Sequence, residues 1–164
     1  PLRGETHQGF SDDSSWARGQ SWAVYGLALC YHYTHEEAIL PLFERVTKYF
    51  IDHLQEDYVP YWDLIFSDGS CEPRDTSAAA IAACGILEME KYYHNQEFLD
   101  IAKKMMSSLS EKYTTVDYLQ SNGIIKDGMY SRKHGHKSEC TSWGDYFYLE
   151  ALMRMKKSDW KIYW

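Results

Sequence analysis

Three segments of the sequence open alike and recur at similar intervals. WARGQSWAVYGLALCYHY starts at Trp16, DTSAAAIAACGILEMEKYY at Asp75 and SWGDYFYLEALMRM at Ser142. Each begins with polar residues suited to a helix start and continues as small and aromatic side chains at helical spacing. Each of the first two is followed by a plainer amphipathic run. The alanine-rich stretch 78–83 favours helix intrinsically and lets neighbouring helices approach closely. A chain with this repeat is predicted to be all-α, built of helical hairpins. The first helix of each unit would form one layer and the second helix the other. Periodicity alone leaves open whether the hairpins belong to a ring or to an open array.

The first helix is predicted to follow the capping oxygens of Asp12, Asp13, Ser14 and Ser15 and to end near Tyr33 and Thr34. Residues 36–54 read as its partner, with Ile39, Leu42, Val46, Tyr49, Phe50 and Leu54 on the apolar stripe and Pro41 in the first turn. A long connection follows, with YVPYWD as a short strand. Asp75 opens the third helix, which runs to Met89. Asn95 caps a fourth, reaching about Glu111, with Phe98, Ile101, Met105 and Leu109 facing inward. A second long loop, 112–142, contains the turn pairs Asn122-Gly123 and Asp127-Gly128. The last helix spans about 143–155, and the aromatic tail 160–164 packs back on it.

Arg18 stands out near the start of the first helix. A cation there gains nothing from the helix dipole, which favours anions at that end. It therefore calls for a partner, either Asp12 or Asp13 nearby or an anionic ligand.

At 164 residues the chain can bury a core as a single domain, 1–164. A net charge of −7 argues against a nucleic-acid or acidic-membrane surface, although a locally basic site for a small anion stays open. No apolar run approaches the roughly 20 residues of a membrane span. Cys30, Cys71, Cys84 and Cys140 show neither CxxC pairing nor zinc spacing, and Cys30 and Cys84 read as buried free thiols. The histidines form no HExxH pattern, so neither metal nor other cofactor is implied. Aromatic residues are 16% of the chain, including 14 Tyr and 6 Trp, enough to pack a core and leave flat platforms for sugar rings. The chain starts at Pro1 without an initiator Met, so a missing signal peptide says little about location. The expectation is cytoplasmic, with the periplasm as alternative.

The stretch HQGFSDDSSWARGQSWAVYGLA resembles the central motif of the unsaturated glucuronyl hydrolases, glycoside hydrolase family 88. PYWDLIFSDGSCEPRDTSAAAIAACGILEM and SWGDYFYLEALMRM are also similar to that family, in the expected order. The resemblance covers nearly the whole chain, but only the C-terminal half of the family's usual length. It implies an (α/α)6 toroid, about half of whose ring is present. It also implies the activity of the parent enzyme, removal of an unsaturated uronic acid from lyase-generated oligosaccharides. The C4=C5 vinyl ether is protonated, water adds at C5, and the hemiketal opens. This departs from direct displacement by paired carboxylates.

The family's proton donor and its second important aspartate belong to motifs absent from this sequence. Asp12, Asp13, Asp63, Asp75 and Asp145 read as caps, structural partners or wall residues, so no catalytic residue is assigned. By position in the motif, Gly4, Thr6, Gln8, Arg18 and Trp22 match residues that line the family's sugar site. Arg18 can donate paired hydrogen bonds to a carboxylate or sulfate. Trp22, four residues on, shares its helix face and can stack on a pyranose. Core packing is the alternative for Trp22. In the loop YSRKHGHKSEC, family members that prefer sulfated substrates carry Ser and Lys. Here Ser131 fits, while His134 and His136 replace the expected residues and Arg132, Lys133 and Lys137 keep the loop basic. Sulfate binding there would then depend on pH, and a plain solvated basic loop is the alternative.

The implied partner is an oligosaccharide ending in an unsaturated uronic acid. A missing N-terminal half or a homo-oligomer would cover the faces that half a ring exposes. Two alternatives stay open, an unsaturated rhamnogalacturonyl hydrolase of family 105 and a non-catalytic carbohydrate-binding piece. Family 105 typically has RGN where this chain has Arg18-Gly19-Gln20, which favours family 88.

Overall fold

The computed structural model describes residues 4–157 and 159–162. They form five α-helices: α1 (Ala17–Thr34), α2 (Ile39–Asp52), α3 (Thr76–Met89), α4 (Gln96–Lys112) and α5 (Ser142–Lys156), with a short 3-10 turn at Arg132–His134. α3 lies between α1 and α5, with α2 behind α1 and α4 behind α3. Arg18 meets Asp75 at one end of this layer, and His32 and Arg154 both meet Glu88 at the other, so α1, α3 and α5 run parallel. α3 is the centre of the core: from Thr76 through Ile86 every residue is buried. That burial explains its all-round small and apolar composition.

The caps expected at Asp75 and Asn95 form, and Thr141 supplies a third, one residue before the segment read as the last helix's start. Their side chains accept from the N–H groups of Ser77, Phe98 and Gly144, respectively. The start of α1 differs from expectation. Asp12, Asp13, Ser14 and Ser15 do not cap it. Trp16 holds the cap position without a side-chain bond, and the first helical N–H, on Ala17, donates to the Trp62 carbonyl at 3.0 Å. Leu64 N–H returns a bond to Ser15 O at 2.8 Å. The YVPYWD segment is accordingly a backbone clasp on α1. It forms isolated bridges, Trp16 with Asp63 and Tyr61 with Arg74, and no strand among the described residues.

α2 begins at Ile39, not Glu36, because His35 takes a left-handed conformation (φ 54°) and the next residues complete the reversal. Its buried face is Phe43, Thr47 and Phe50, whereas Leu42 and Tyr49 are exposed. The apolar stripe is thus turned by about one residue from that read in the sequence. Cys84 is buried as expected, but Cys30 is exposed, on the side of α1 away from α3. Trp160 packs back on α5, with the Arg154 guanidinium 4.3 Å from its ring. Tyr163 and Trp164 lie outside the described residues.

The C-terminal ends of the parallel helices are joined by a buried charge network. Glu88 accepts from Arg154 and from Lys91 at 2.8 Å, and contacts His32 Nδ1 at 2.8 Å. Arg154 Nε also donates to Glu150, which accepts from the Tyr25 hydroxyl at 2.9 Å. Burial pushes the Glu88 carboxyl up, but Lys91 and Arg154 outweigh it and hold it below its ordinary value of 4.5. Its stabilising contribution is therefore complete above that value and lost as pH falls through the lowered one. Glu88→Gln is expected to cost about 3 kcal/mol at neutral pH by stranding buried cations. In thermal melts the gap to wild type should close below about pH 4.5.

The close approach of α1 and α3 is set at Gly85. A Cβ there would lie 2.7 Å from Tyr25 Cα and 2.8 Å from Tyr25 N. At Gly26 a Cβ would meet nothing within 4 Å. For the 164-residue chain, chemical denaturation should show Gly85→Ala losing about 1–3 kcal/mol through overpacking. Gly26→Ala should gain up to about 1 kcal/mol from helix propensity.

Candidate functional site

The N-terminal ends of α1, α3 and α5 meet around Arg18. Its side chain is buried. Nη1 donates to Asp75 Oδ2 at 2.8 Å, to Ser77 Oγ at 3.3 Å and to the Met129 carbonyl, while Nη2 donates to the Tyr130 carbonyl. The guanidinium lies 4.7 Å from the Trp16 ring and 5.2 Å from the Trp143 ring, so a tryptophan from α1's start and one from α5 flank the cation. Trp143 Nε1–H donates to Ser77 Oγ at 3.2 Å. Burial lowers the Arg18 pKa and raises that of Asp75. The ion pair opposes both shifts, and the Ser77 and Met129 donors help hold the carboxylate. The partner of Arg18 is thus Asp75, 57 residues away, and not Asp12 or Asp13.

This arrangement brings the two candidate segments together. Gln8 Nε2 donates to the same Tyr130 carbonyl at 3.1 Å, and Lys133 Nζ donates to Thr6 O at 3.0 Å. The His7 and His134 rings lie 4.8 Å apart. Thr6 organises its own turn: its N–H donates to Asp12 Oδ1, and its hydroxyl accepts from Gly9 N–H. Gly4 is exposed on the same segment. Ser131 is buried and its hydroxyl sits 2.6 Å from His134 Nδ1, whereas the rest of the loop through Cys140 is exposed. His136 packs against the Tyr130 ring at 4.8 Å, and Tyr130 lies 5.8 Å from Trp143.

Trp22 stands one turn along α1 from Arg18. It is 37% exposed, with its ring in a T-shaped contact with Phe147 at 5.1 Å. Exposed Tyr146 continues the aromatic surface, its ring 4.9 Å from Phe147. Burial and Glu150 together push the Tyr146 hydroxyl well above its ordinary range.

The other aspartates serve the scaffold. Asp63 is buried and accepts from Phe10 N–H, Ser14 Oγ and Ile65 N–H. Asp145 Oδ1 accepts from Ile124 and Ile125 N–H, both at 2.9 Å. No group of three His, Cys, Asp or Glu side chains suited to a metal occurs among the described residues. Sequence reasoning missed Ser77 and Trp143 as parts of this site and did not pair Asp75 with Arg18. Trp16 is two residues from Arg18, but nothing in the local sequence marks the other three as its neighbours.

The arrangement can therefore present an aromatic wall beside an enclosed cation, at the positive ends of three parallel helices. The surrounding loops carry Gln8, Ser131, His134 and Lys133 as further polar groups.

An unsaturated chondroitin disaccharide hydrolase of Streptococcus agalactiae serotype III (strain NEM316) is 46% identical to this chain over 170 residues, covering 100% of it and 42% of the relative. An unsaturated glucuronyl hydrolase of Bacillus sp. (strain GL1) is 39% identical over 162 residues, covering 95% of the chain and 43% of the relative. The crystal structure of an S. agalactiae unsaturated glucuronyl hydrolase mutant, complexed with dGlcA-GalNAc6S, superposes with a TM-score of 0.91 at 46% identity. It is matched over 100% of this chain and 45% of its own. The present helices are thus those of an α/α toroid, and the chain spans less than half the length of the relatives it matches. The profile of Glycosyl Hydrolase Family 88 matches residues 3–158, and the chain belongs to that family.

Proposed function

We propose that this chain is the C-terminal part of a single toroid domain in a longer hydrolase that releases unsaturated glucuronic acid from oligosaccharides. The supporting observation is the meeting of residues 6–8 and the 130–134 loop at Arg18, one helical turn from the partly exposed Trp22. In this reading Trp22 stacks on a pyranose, and Gln8 positions water or a hydroxyl. Gly4 and Thr6 shape the adjoining wall. His134 contacts the next sugar or its substituent, held by the buried Ser131 hydroxyl 2.6 Å from its Nδ1. Arg18 lies behind the sugar, its charge paired with Asp75 and its Nη1 and Nη2 groups holding the Met129 and Tyr130 carbonyls of the wall. The reaction adds water across C4=C5, with a proton going to C4 and the hydroxyl to C5. Collapse of the resulting C5 hemiketal breaks the C5–O ring bond and leaves a hemiacetal at C1, which goes to an aldehyde as the C1–O bond to the leaving sugar's hydroxyl breaks. The proton donor is placed in the remainder of the longer protein.

That remainder is also the proposed cover for the other exposed large side chains of α1 and α5, Tyr33, Tyr146, Leu149, Leu152 and Met155. Two measurements test the reading, loss of C4=C5 ultraviolet absorbance from an unsaturated chondroitin disaccharide and native mass spectrometry. The longer protein should consume the double bond, while the 164-residue chain alone should not. A longer protein that leaves the absorbance unchanged would sink the proposal.

Arg132 and Lys133 provide a finer check. Arg132 Nε lies 3.4 Å from Glu72, and Lys133 is tied to Thr6. Replacing both in the longer protein should raise KM for sulfated disaccharides more than for unsulfated ones. Equal changes would assign the two residues to loop support only.

A further inference from the structure

Asp75 caps α3, but a cap does not account for how it is built. Capping needs one side-chain oxygen facing one or two backbone N–H groups, and asparagine serves about as well as aspartate. Here the carboxylate is fully enclosed and its two oxygens face different elements. Oδ1 accepts from Ser77 N–H at 3.2 Å, Ser77 Oγ–H at 2.5 Å and Met129 N–H at 3.3 Å. Oδ2 accepts from Arg18 Nη1 at 2.8 Å. The same Nη1 reaches the Met129 carbonyl, so Asp75 holds Met129 by its N–H directly and by its C=O through Arg18. The next carbonyl, of Tyr130, takes Arg18 Nη2 and Gln8 Nε2.

We propose that Asp75 is a positioning residue for the sugar wall. It fixes the orientation of Arg18 and, through Arg18 and the Met129 N–H, the backbone of residues 129–131 from which Tyr130 and Ser131 project. The use of that wall rests on the hydrolase reading above, whereas the clamp rests on these contacts alone. With the carboxylate neutralised, an amide at this position still caps α3 but turns no full charge toward Arg18. The 129–131 segment then loses the one group that grips it from both sides.

The test is Asp75→Asn in the longer protein, read by kinetics and by amide hydrogen exchange. KM for an unsaturated disaccharide should rise about tenfold while kcat changes little, the pattern of lost binding. Exchange at residues 129–131 should quicken while α3 amides stay protected. A purely structural cap would lower the active fraction, so apparent kcat would fall with KM and loop exchange unchanged, and that overturns the proposal. Should Asp75→Asn fail to fold, Ser77→Ala removes a donor to Asp75 and an acceptor for Arg18 while leaving the pair itself. It should then raise KM a few-fold and quicken 129–131 exchange, and no change in either overturns the proposal. If the wild-type longer protein turns over no unsaturated disaccharide, the hydrolase reading alone falls. Exchange at 129–131 in the variants still decides for or against Asp75.

Discussion

A guanidinium out of water must find acceptors, and Arg18 finds them on separate parts of the chain. Asp75 comes from the start of α3, and the carbonyls of Met129 and Tyr130 come from the long connection before α5. Trp16 and Trp143, from the starts of α1 and α5, close over the cation's sides. No one of these elements can shift without leaving a buried charge short of partners. The cation thus specifies how three helix starts and one loop sit together. The loop has little regular structure of its own, so its conformation depends on this demand.

The opposite end of the layer follows the same logic with the signs reversed. Glu88, buried at the C-terminal end of α3, draws Arg154 from α5, Lys91 from its own flank and His32 from α1. Between the two polar ends the contact is nearly all carbon, with Gly85 against the backbone of Tyr25 and alanines along α3. Such an interface has few shape features to fix how far one helix slides along the next. The charged clusters at its two ends supply that register, because a slip of one turn would separate Arg18 from Asp75 and Glu88 from Arg154. Register is among the better attested uses of buried ion pairs.

The helices were legible because their signals are local. Asp75 and Asn95 sit at helix starts and cap them, and the alanines of α3 state both helix and burial. The start of α1 was misread because its orphan N–H is met by the carbonyl of Trp62, a partner 45 residues on that no side chain announces. The face of α2 was misread because it has more apolar residues than it buries, so Leu42 and Tyr49 fit the period as well as Phe43 does. Cys30 has an apolar sequence context but lies on the uncovered side of α1. Within the site, the motif brought out Arg18, Gln8 and Trp22 but not the residue that holds the arginine. Asp12 and Asp13 were nearer in sequence, and only the fold puts Asp75 closer in space.

Gly85 and Gly26 show what the layer lacks. Both lie inside helices, where glycine is costly relative to alanine. At Gly85 the cost is offset, since any side chain would collide with α1. At Gly26 the surroundings are open, and Ala23 and Cys30 lie three and four residues away, on the same side of the helix. A helix surface of this kind does not need small residues to meet water. The far side of α5 carries exposed Tyr146, Leu149 and Leu152. Trp22 and Tyr33 stand exposed on the same side of α1 as Gly26, so both edges of the layer carry large side chains, and of the helix contacts among the described residues only α1–α3 brings a glycine against a backbone.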